Sequence, residues 1–514
     1  MALPEVISVA LSRREVLAAS VASGAVLLSR PSGAAAARLG PDADTSASRT
    51  SKLDPNVRLA HADLHNHTLL SDGDGRADAA FETMRSHGLD VAALTDHSGV
   101  GKVLGPTCQG CDAAIGIDES EWDRLKSYAD AANADGEFVA LRGFEWSSPV
   151  LGHMNVWFSA TWTDPLATAG VNASSTAGFL LHEDDTLIGP DTEALLNDVL
   201  RGAPDRPVSM AGFYDWLDAD PERAIVGGGL DGIAGFNHPG REGGRFGYFT
   251  YDPRIADRVV SIEMFNRRED YLFEGVAEGN PSPLVECLDA GWRVGILGVT
   301  DEHGDDWGGP LGKGRTGLWV PRLSRDTVRD AMESRRFFAT RERGLRLDAT
   351  ANGTPMGGRL AHRDGEVRFA LDIDKGREWQ GRTLLMQVMQ TGDPLPTLTH
   401  QVEFRVPGPD EPAVAVTVPV SRDDGDWVVL RVTDPSRSAD DRAQPYPAYR
   451  AAGRAVAYAS PFFLVENDEP PTSPDAVSLT ASSLGVAGAA SLRRAEHAHD
   501  HDRPRMGDLG KSLW

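Results

Sequence analysis

The chain has 514 residues, of which 41% are hydrophobic, 25% charged and 7% aromatic. That composition excludes a disordered chain, a collagen-like repeat and a small disulfide scaffold, and the length suits two or three domains with sizeable cores. The formal net charge of −25 argues against nucleic acid and anionic lipid as partners, yet leaves room for a small anionic substrate held at a local positive site.

Taken in chain order, the first segment reads as an address. Ser12-Arg13-Arg14-Glu15-Val16-Leu17 is a twin-arginine pattern, an apolar stretch covers 17–28, and Ala34, Ala35, Ala36 and Ala37 supply small residues for cleavage. Residues 1–37 are similar to a Tat signal, which implies export of the folded protein to the periplasm, cell envelope or medium. The stretch falls short of the ~20 apolar residues of a comfortable span, so no stable membrane span is expected after cleavage. An uncleaved N-terminal anchor is the competing reading. Residues 38–57 carry no periodicity and form a linker.

Between 58 and 342, short apolar runs alternate with helical patterns. Strands are predicted at 60–64, 91–95, 138–144, 154–158, 233–236, 259–264, 294–299 and 317–320. A helix lies between the first two, where Ala77, Ala80, Phe81 and Met84 share a face and Gly88 can end it. This rhythm predicts parallel βα units, and their number suggests a barrel. Cys108 and Cys111 form a C-x-x-C in a Gly-rich loop that admits a local disulfide. No second C-x-x-C completes a structural zinc site, and Cys287 reads as core.

The style changes near residue 345. Alternating segments at 366–373, 383–389, 413–420, 427–432 and 462–465 are separated by Gly, Pro and Asp, which predicts an antiparallel β-sandwich over 343–467. Residues 468–514 are rich in Pro, Ser, Ala and charge. They read as a solvated tail in which His497, His499 and His501 offer at most weak metal binding.

The histidines carry the chemistry. His65-Asn66-His67 closes the first predicted strand, and residues two apart on a strand project to one side. Thr95-Asp96-His97 closes the second, Gly143-Phe144-Glu145 the third, Asn237-His238-Pro239-Gly240-Arg241 a later one and Thr300-Asp301-Glu302-His303 the last long one, while Gly152-His153-Met154-Asn155 opens the fourth. A single such histidine is more often a core or capping residue. Six of them beside Asp72, Glu145 and Asp301 make nine candidate ligands for borderline divalent metals, too many for one tetrahedral ion and enough for two or three. Asp96 is a candidate to support a ligand from behind by orienting His97, and Asn155 and Asn237 are candidates either for such support or for substrate contact. His61 reads as structural, and His87, His182, His362 and His400 as background.

The ordered set H-x-H-x-x-x-S-D-G, T-D-H, G-x-E, H-P and D-x-H resembles the PHP (polymerase and histidinol phosphatase) superfamily over roughly 59–340. Glu145-Trp146-Ser147-Ser148 followed by Gly152-His153-Met154-Asn155-Val156, the Tat-like segment and the appended β region resemble its carbaryl-hydrolase-like (CehA/McbA) group. The resemblance implies a distorted (β/α)7 TIM-like barrel with Zn, Mn or Fe. It implies that His65, His67, Glu145 and Asp301 hold one part of the cluster, and His97, His153, His238 and His303 the rest. Asp72 falls where members place His, Asp or Glu.

These readings converge on an exported metal-dependent hydrolase. Its metal-bound hydroxide attacks a phosphate ester, with Asp72 and His303 managing the leaving group's proton. Arg241, Lys313 and Arg315 are candidates to bind the substrate's oxygens, and Arg241 also to act in catalysis. Neither a G-x-S-x-G elbow nor a P-loop is present. Hydrolysis of an aryl ester or carbamate is the nearest alternative. A cell-envelope binding protein with a degenerate barrel is the alternative of another class.

Overall fold

The computed structural model describes residues 49–98, 116–148, 151–168, 209–222, 227–240, 244–309 and 311–466. The Tat-like segment, Cys108, Cys111, His182, Arg241 and the C-terminal tail lie outside the described residues.

The first half of the chain folds into a mixed α/β region. Its strands are β1 (Arg58–Asp63), β2 (Val91–Leu94), β3 (Val139–Ser148), β4 (Gly152–Trp157), β5 (Ile233–Phe236), β6 (Val259–Asn266), β7 (Glu269–Asp270), β8 (Gly295–Val299), β9 (Arg315–Val320) and β10 (Phe337–Thr340). Every residue of β2, β5, β6 and β8 is buried, as expected for continuous apolar runs covered on both faces. Helices flank them: α1 (Ala77–Ser86), α2 (Glu119–Ala132), α3 (Ala211–Leu217), α4 (Pro283–Asp289) and α5 (Arg325–Glu333). The buried stripe of α1 is Ala77, Ala80, Phe81 and Met84, and Gly88 follows with φ 80°. A capping box of Asp118 and Glu121 starts α2.

The expected all-parallel closed barrel is not what forms. Parallel ladders join β1 to β2, β2 to β3, β5 to β6 and β6 to β8. However, β4 runs antiparallel to both β3 and β5, and β9 antiparallel to β1 and β10. The reason is chain length. Only three residues separate β3 from β4, whereas a parallel crossover needs about a dozen or more. The ladder also does not close into a ring, because β8 pairs with β6 and has no ladder to β9. Instead, the Thr316 hydroxyl donates to the Gly298 carbonyl at 2.8 Å, and a parallel bridge joins Asn66 to Glu302 beyond the strand ends.

The sheet continues through β10 into an all-β region. This contains β11 (Arg346–Ala351), β12 (Thr354–Pro355), β13 (Arg359–Ala361), β14 (Asp364–Asp374), β15 (Thr383–Gln390), β16 (Thr397–Arg405), β17 (Val414–Ser421), β18 (Trp427–Asp434), β19 (Arg454–Ala459) and β20 (Phe462–Val465). A second sheet, ordered β12-β11-β14-β17, shares a core with the first. Leu347, Phe369 and Leu371 from one sheet pack with Met386, Leu430 and Val456 from the other. Cys287 is buried in α4.

Candidate metal centre

All six parallel strands of the α/β region point the same way, and the motif residues sit at or just past their carboxyl ends. The reversed β4 begins where β3 ends, which brings His153 to that same rim. Glu145 stands at the centre. Its Oε1 lies 3.2 Å from His65 Nε2, 3.3 Å from His153 Nδ1 and 3.1 Å from His238 Nε2. Its Oε2 lies 2.7 Å from His97 Nδ1 and 3.5 Å from His67 Nε2. Asp301 approaches His65, His67 and His303 at 3.5, 3.3 and 3.4 Å, and Asp72 approaches His97 and His303 at 3.2 Å each. The nine residues singled out from the sequence therefore share one cluster of overlapping ligand groups.

Local structure explains how each arrives. The S-D-G turn after β1 folds back, with the Gly73 amide on the Thr68 carbonyl at 2.9 Å. A Cβ at Gly73 would sit 2.7 Å from Thr68 N, so glycine is needed to bring Asp72 to the cluster. Asp301 adopts φ 48°, a strained setting for a non-glycine residue, and its amide is held by the His65 carbonyl at 3.1 Å.

The electrostatics are those of a crowd of ligands. Burial acts to lower the His65 imidazole, yet Glu145, Glu263 and Asp301 outweigh it and hold it well above its ordinary value. Burial likewise works against protonated His97, and Glu145 and Asp72 overcome it. His238 and His303 are also raised, against burial, chiefly by hydrogen bonds to Glu145 and Asp72 respectively. In contrast, His67 is pushed down to about 3 by burial and by the neighbouring His97 and His303. His153 is lowered by burial in spite of its contact with Glu145. Burial disfavours ionised Glu145, Asp301 and Asp72, but the surrounding imidazoles hold all three well below the usual carboxylate range.

The donor set fits divalent ions. His65 and His67 direct their Nε2 atoms at each other over 3.0 Å. His67 Nδ1, Glu145 Oε2, His153 Nδ1 and Asp301 Oδ1 are buried with ion-pair approaches to neighbouring ligand groups but no well-aligned hydrogen bond. Buried nitrogen and carboxylate atoms that lack well-aligned hydrogen bonds are costly, and four of them within one cluster of imidazole and carboxylate suit a cation.

Supporting residues include one that sequence reasoning missed. Glu263, buried on β6, accepts from His65 Nδ1, the His238 amide and Asn266 Nδ2, each at 2.8 Å. It follows no motif, and its only signal was an acid inside an apolar strand. Asn237 donates to Glu145 Oε1 at 2.7 Å, whereas Asn155 reaches the site only through its backbone amide on Asn237. Asp96 does not orient the His97 ring. Its carboxylate, raised to about 6 by burial, accepts from Thr68 N at 2.7 Å and Ser71 Oγ at 2.8 Å and so holds the turn carrying Asp72. Ser147 Oγ contacts His97 Nδ1 at 2.5 Å. His61 is buried and far from charged form, pushed down to about 3 by burial and Arg49.

A cavity of about 450 Å³ opens onto the cluster. Lys313 lines it, paired with Glu302. Arg315 does not line it: the side chain is buried and donates to the Gly308 carbonyl. Arg267 and Arg268, which the sequence analysis passed over, line it from the turn between β6 and β7.

No family model and no curated protein match the chain. Solved structures show distant likenesses. A two-domain protein from Bacteroides vulgatus containing a predicted PHP-like metal-dependent phosphoesterase is 14% identical, over 81% of this chain and 98% of that one, with a TM-score of 0.35. A protein from Bifidobacterium adolescentis proposed to be a metal-dependent phosphoesterase is 16% identical over 53% and 95%, with a TM-score of 0.25. An amidohydrolase from Chromobacterium violaceum, with bound sulfate and no metal, is 15% identical over 49% and 90%, with a TM-score of 0.23. With identities this low and superpositions this loose, these likenesses fix neither the family nor the chemistry of this chain.

Proposed function

We propose that the protein is a metal-dependent hydrolase of the PHP superfamily, in its carbaryl-hydrolase-like group, acting on phosphate esters. The carrying observation is the cluster of nine imidazole and carboxylate residues whose ligand atoms converge in overlapping groups. His65, His67, Glu145 and Asp301 would hold one part of a set of two or three Zn, Mn or Fe ions, and Asp72, His97, His153, His238 and His303 the rest. Such ions, when bound, lower the pKa of water toward neutrality and neutralise oxygens in the transition state.

The chain's own groups do the remaining work. Arg267, with Nε 3.3 Å from Asp301 Oδ2, would neutralise charge developing on a phosphoryl oxygen. Asp72 and His303, paired Oδ2 to Nε2 at 3.2 Å at the partly exposed side of the cluster, pass a proton to the departing oxygen. Glu263 and Asn237 keep His65 and Glu145 in one orientation. Lys313 and Arg241 remain candidates to bind the substrate. We further infer export through the Tat pathway, supported by the Arg13-Arg14 segment, with 58–342 as the catalytic region and 343–467 as an attached β-sandwich.

Elemental analysis of protein purified without added metal, beside phosphatase and phosphodiesterase assays of the parent, His65→Ala and Asp301→Ala, tests this reading. Two or three ions per chain and activity confined to the parent are expected. Equal activity in all three proteins overturns it. Faster turnover of an aryl carbamate than of an aryl phosphate would retain the hydrolase and replace the ester class.

A further inference from the structure

The protein carries a net charge of −25, yet three cations, Arg267, Arg268 and Lys313, line the cavity beside the metal cluster. Two of them are engaged. Lys313 pairs with Glu302, and Arg267 contacts Asp301 and, through an η nitrogen at 3.2 Å, His303 Nδ1. Arg268 is exposed, and its guanidinium has no partner among the described residues.

The backbone beneath Arg268 is held firmly. Arg341 donates to the Arg268 carbonyl at 3.1 Å. The Gly314 amide donates to the Arg267 carbonyl at 2.8 Å, and Arg267 itself keeps φ 49°. A Cβ at Gly314 would lie 2.4 Å from the Val299 carbonyl oxygen and 2.5 Å from that of Phe265, so only glycine lets the Lys313 loop close on the β6–β7 turn. Asp270, next but one to Arg268, is buried against Tyr458 at 2.9 Å. Arg268 thus offers a free guanidinium to the cavity from a backbone held by three hydrogen bonds, at residues 267, 268 and 270, and a guanidinium suits an oxyanion.

We propose that Arg268, flanked by Arg267 and Lys313, is a substrate subsite for an oxyanion on the part of the ester that is not hydrolysed, so that the substrate class is an ester carrying a second carboxylate or phosphate. This rests on the hydrolase reading for its reaction, but not for the binding itself. Succinate and inorganic phosphate are titrated calorimetrically into metal-replete parent, Arg268→Gln and Arg268→Lys proteins of equal metal content. In parallel, kcat/KM is measured for ethyl phosphate, 2-phosphoglycolate and ethylene glycol bisphosphate. Losing one charged hydrogen bond predicts a fall of about tenfold in succinate affinity and in the preference for a doubly anionic ester in Arg268→Gln, with partial recovery in Arg268→Lys. The two doubly anionic esters tell carboxylate from phosphate. Unchanged succinate affinity and unchanged preference in Arg268→Gln overturn the subsite. Arg268-dependent succinate binding without turnover of any phosphate ester keeps the subsite and overturns the phosphoesterase reading.

Discussion

The α/β region and the all-β region differ in how their buried charged groups are arranged. In the all-β region, buried charges find partners close by. Arg346 meets Asp372 at 2.8 Å, Arg382 meets Asp434 at 2.5 Å, and Arg431 donates to Gln387 at 2.7 Å and to Tyr458 at 2.8 Å. In the α/β region, buried ligand atoms of His67, Glu145, His153 and Asp301 crowd against one another around one centre without well-aligned hydrogen bonds. Buried charge in separate, well-formed pairs reads as architecture, and many ligand groups converging on one centre read as a candidate cation site. The two regions meet at the β6–β7 turn, where Asp270 is clasped by Arg431 at 3.4 Å and by Tyr458 at 2.9 Å. The all-β region thus steadies the turn that presents Arg267 and Arg268.

Five experiments break or sharpen this contrast. The largest effect is expected for Arg431→Met, which strands buried Asp270. Removing one partner of such a pair costs about 3–5 kcal/mol, read by denaturant unfolding. A loss below ~1 kcal/mol would show that the clasp is not architecture. Next, Glu145→Gln should cut hydrolysis and bound metal by about a hundredfold or more, exceeding the effect typical of residues that only orient ligands. Unaltered metal content would remove Glu145 from the centre. Glu263→Gln should weaken metal affinity about 10- to 100-fold while leaving the unfolding midpoint of the metal-free protein nearly unchanged.

The fourth concerns pH. His65, His97, His238 and His303 sit above their ordinary 6.5 in the metal-free fold, so protons compete with ions until the pH exceeds those raised values. Metal affinity should therefore strengthen as pH rises and weaken about tenfold per pH unit for each proton displaced on the way down. A pH-independent affinity would contradict the ligand set. The smallest effect belongs to Asp118→Ala, which removes the cap of α2. It should cost about 1 kcal/mol of stability and leave metal content unchanged. A loss of metal here would mean that the cluster depends on the helix layer.

Much of the α/β region was legible in local pattern. The predicted strand at 233–236 coincides with β5, and those at 91–95 and 294–299 differ from β2 and β8 by one residue. The reversed direction of β4 and the open edge at β8 were not legible, because strand direction depends on partner choice, which apolar runs do not encode. Strand β10 was missed because Phe337-Phe338-Ala339-Thr340 is short, follows α5 after only three residues and shows no alternation. In the all-β region the predicted strands at 383–389 and 427–432 lie within β15 and β18, where alternation and turn residues coincide.

The site divides along the same line. The kinds of ligand, their order and their place at strand ends could be read from sequence alone. His65 and His67, just past β1, reach one cluster as their two-residue spacing predicts, and Gly88 ends α1 by its own conformational freedom. Such features are settled within a few residues. Tertiary structure alone decided that Glu145 sits among five imidazoles, that Glu263 backs His65 from 198 residues away, that Asp96 serves the Asp72 turn, and that Arg267 and Arg268 rather than Arg315 face the cavity. Those outcomes depend on which distant strands become neighbours, and contacts between residues far apart in the chain leave no local periodicity to read.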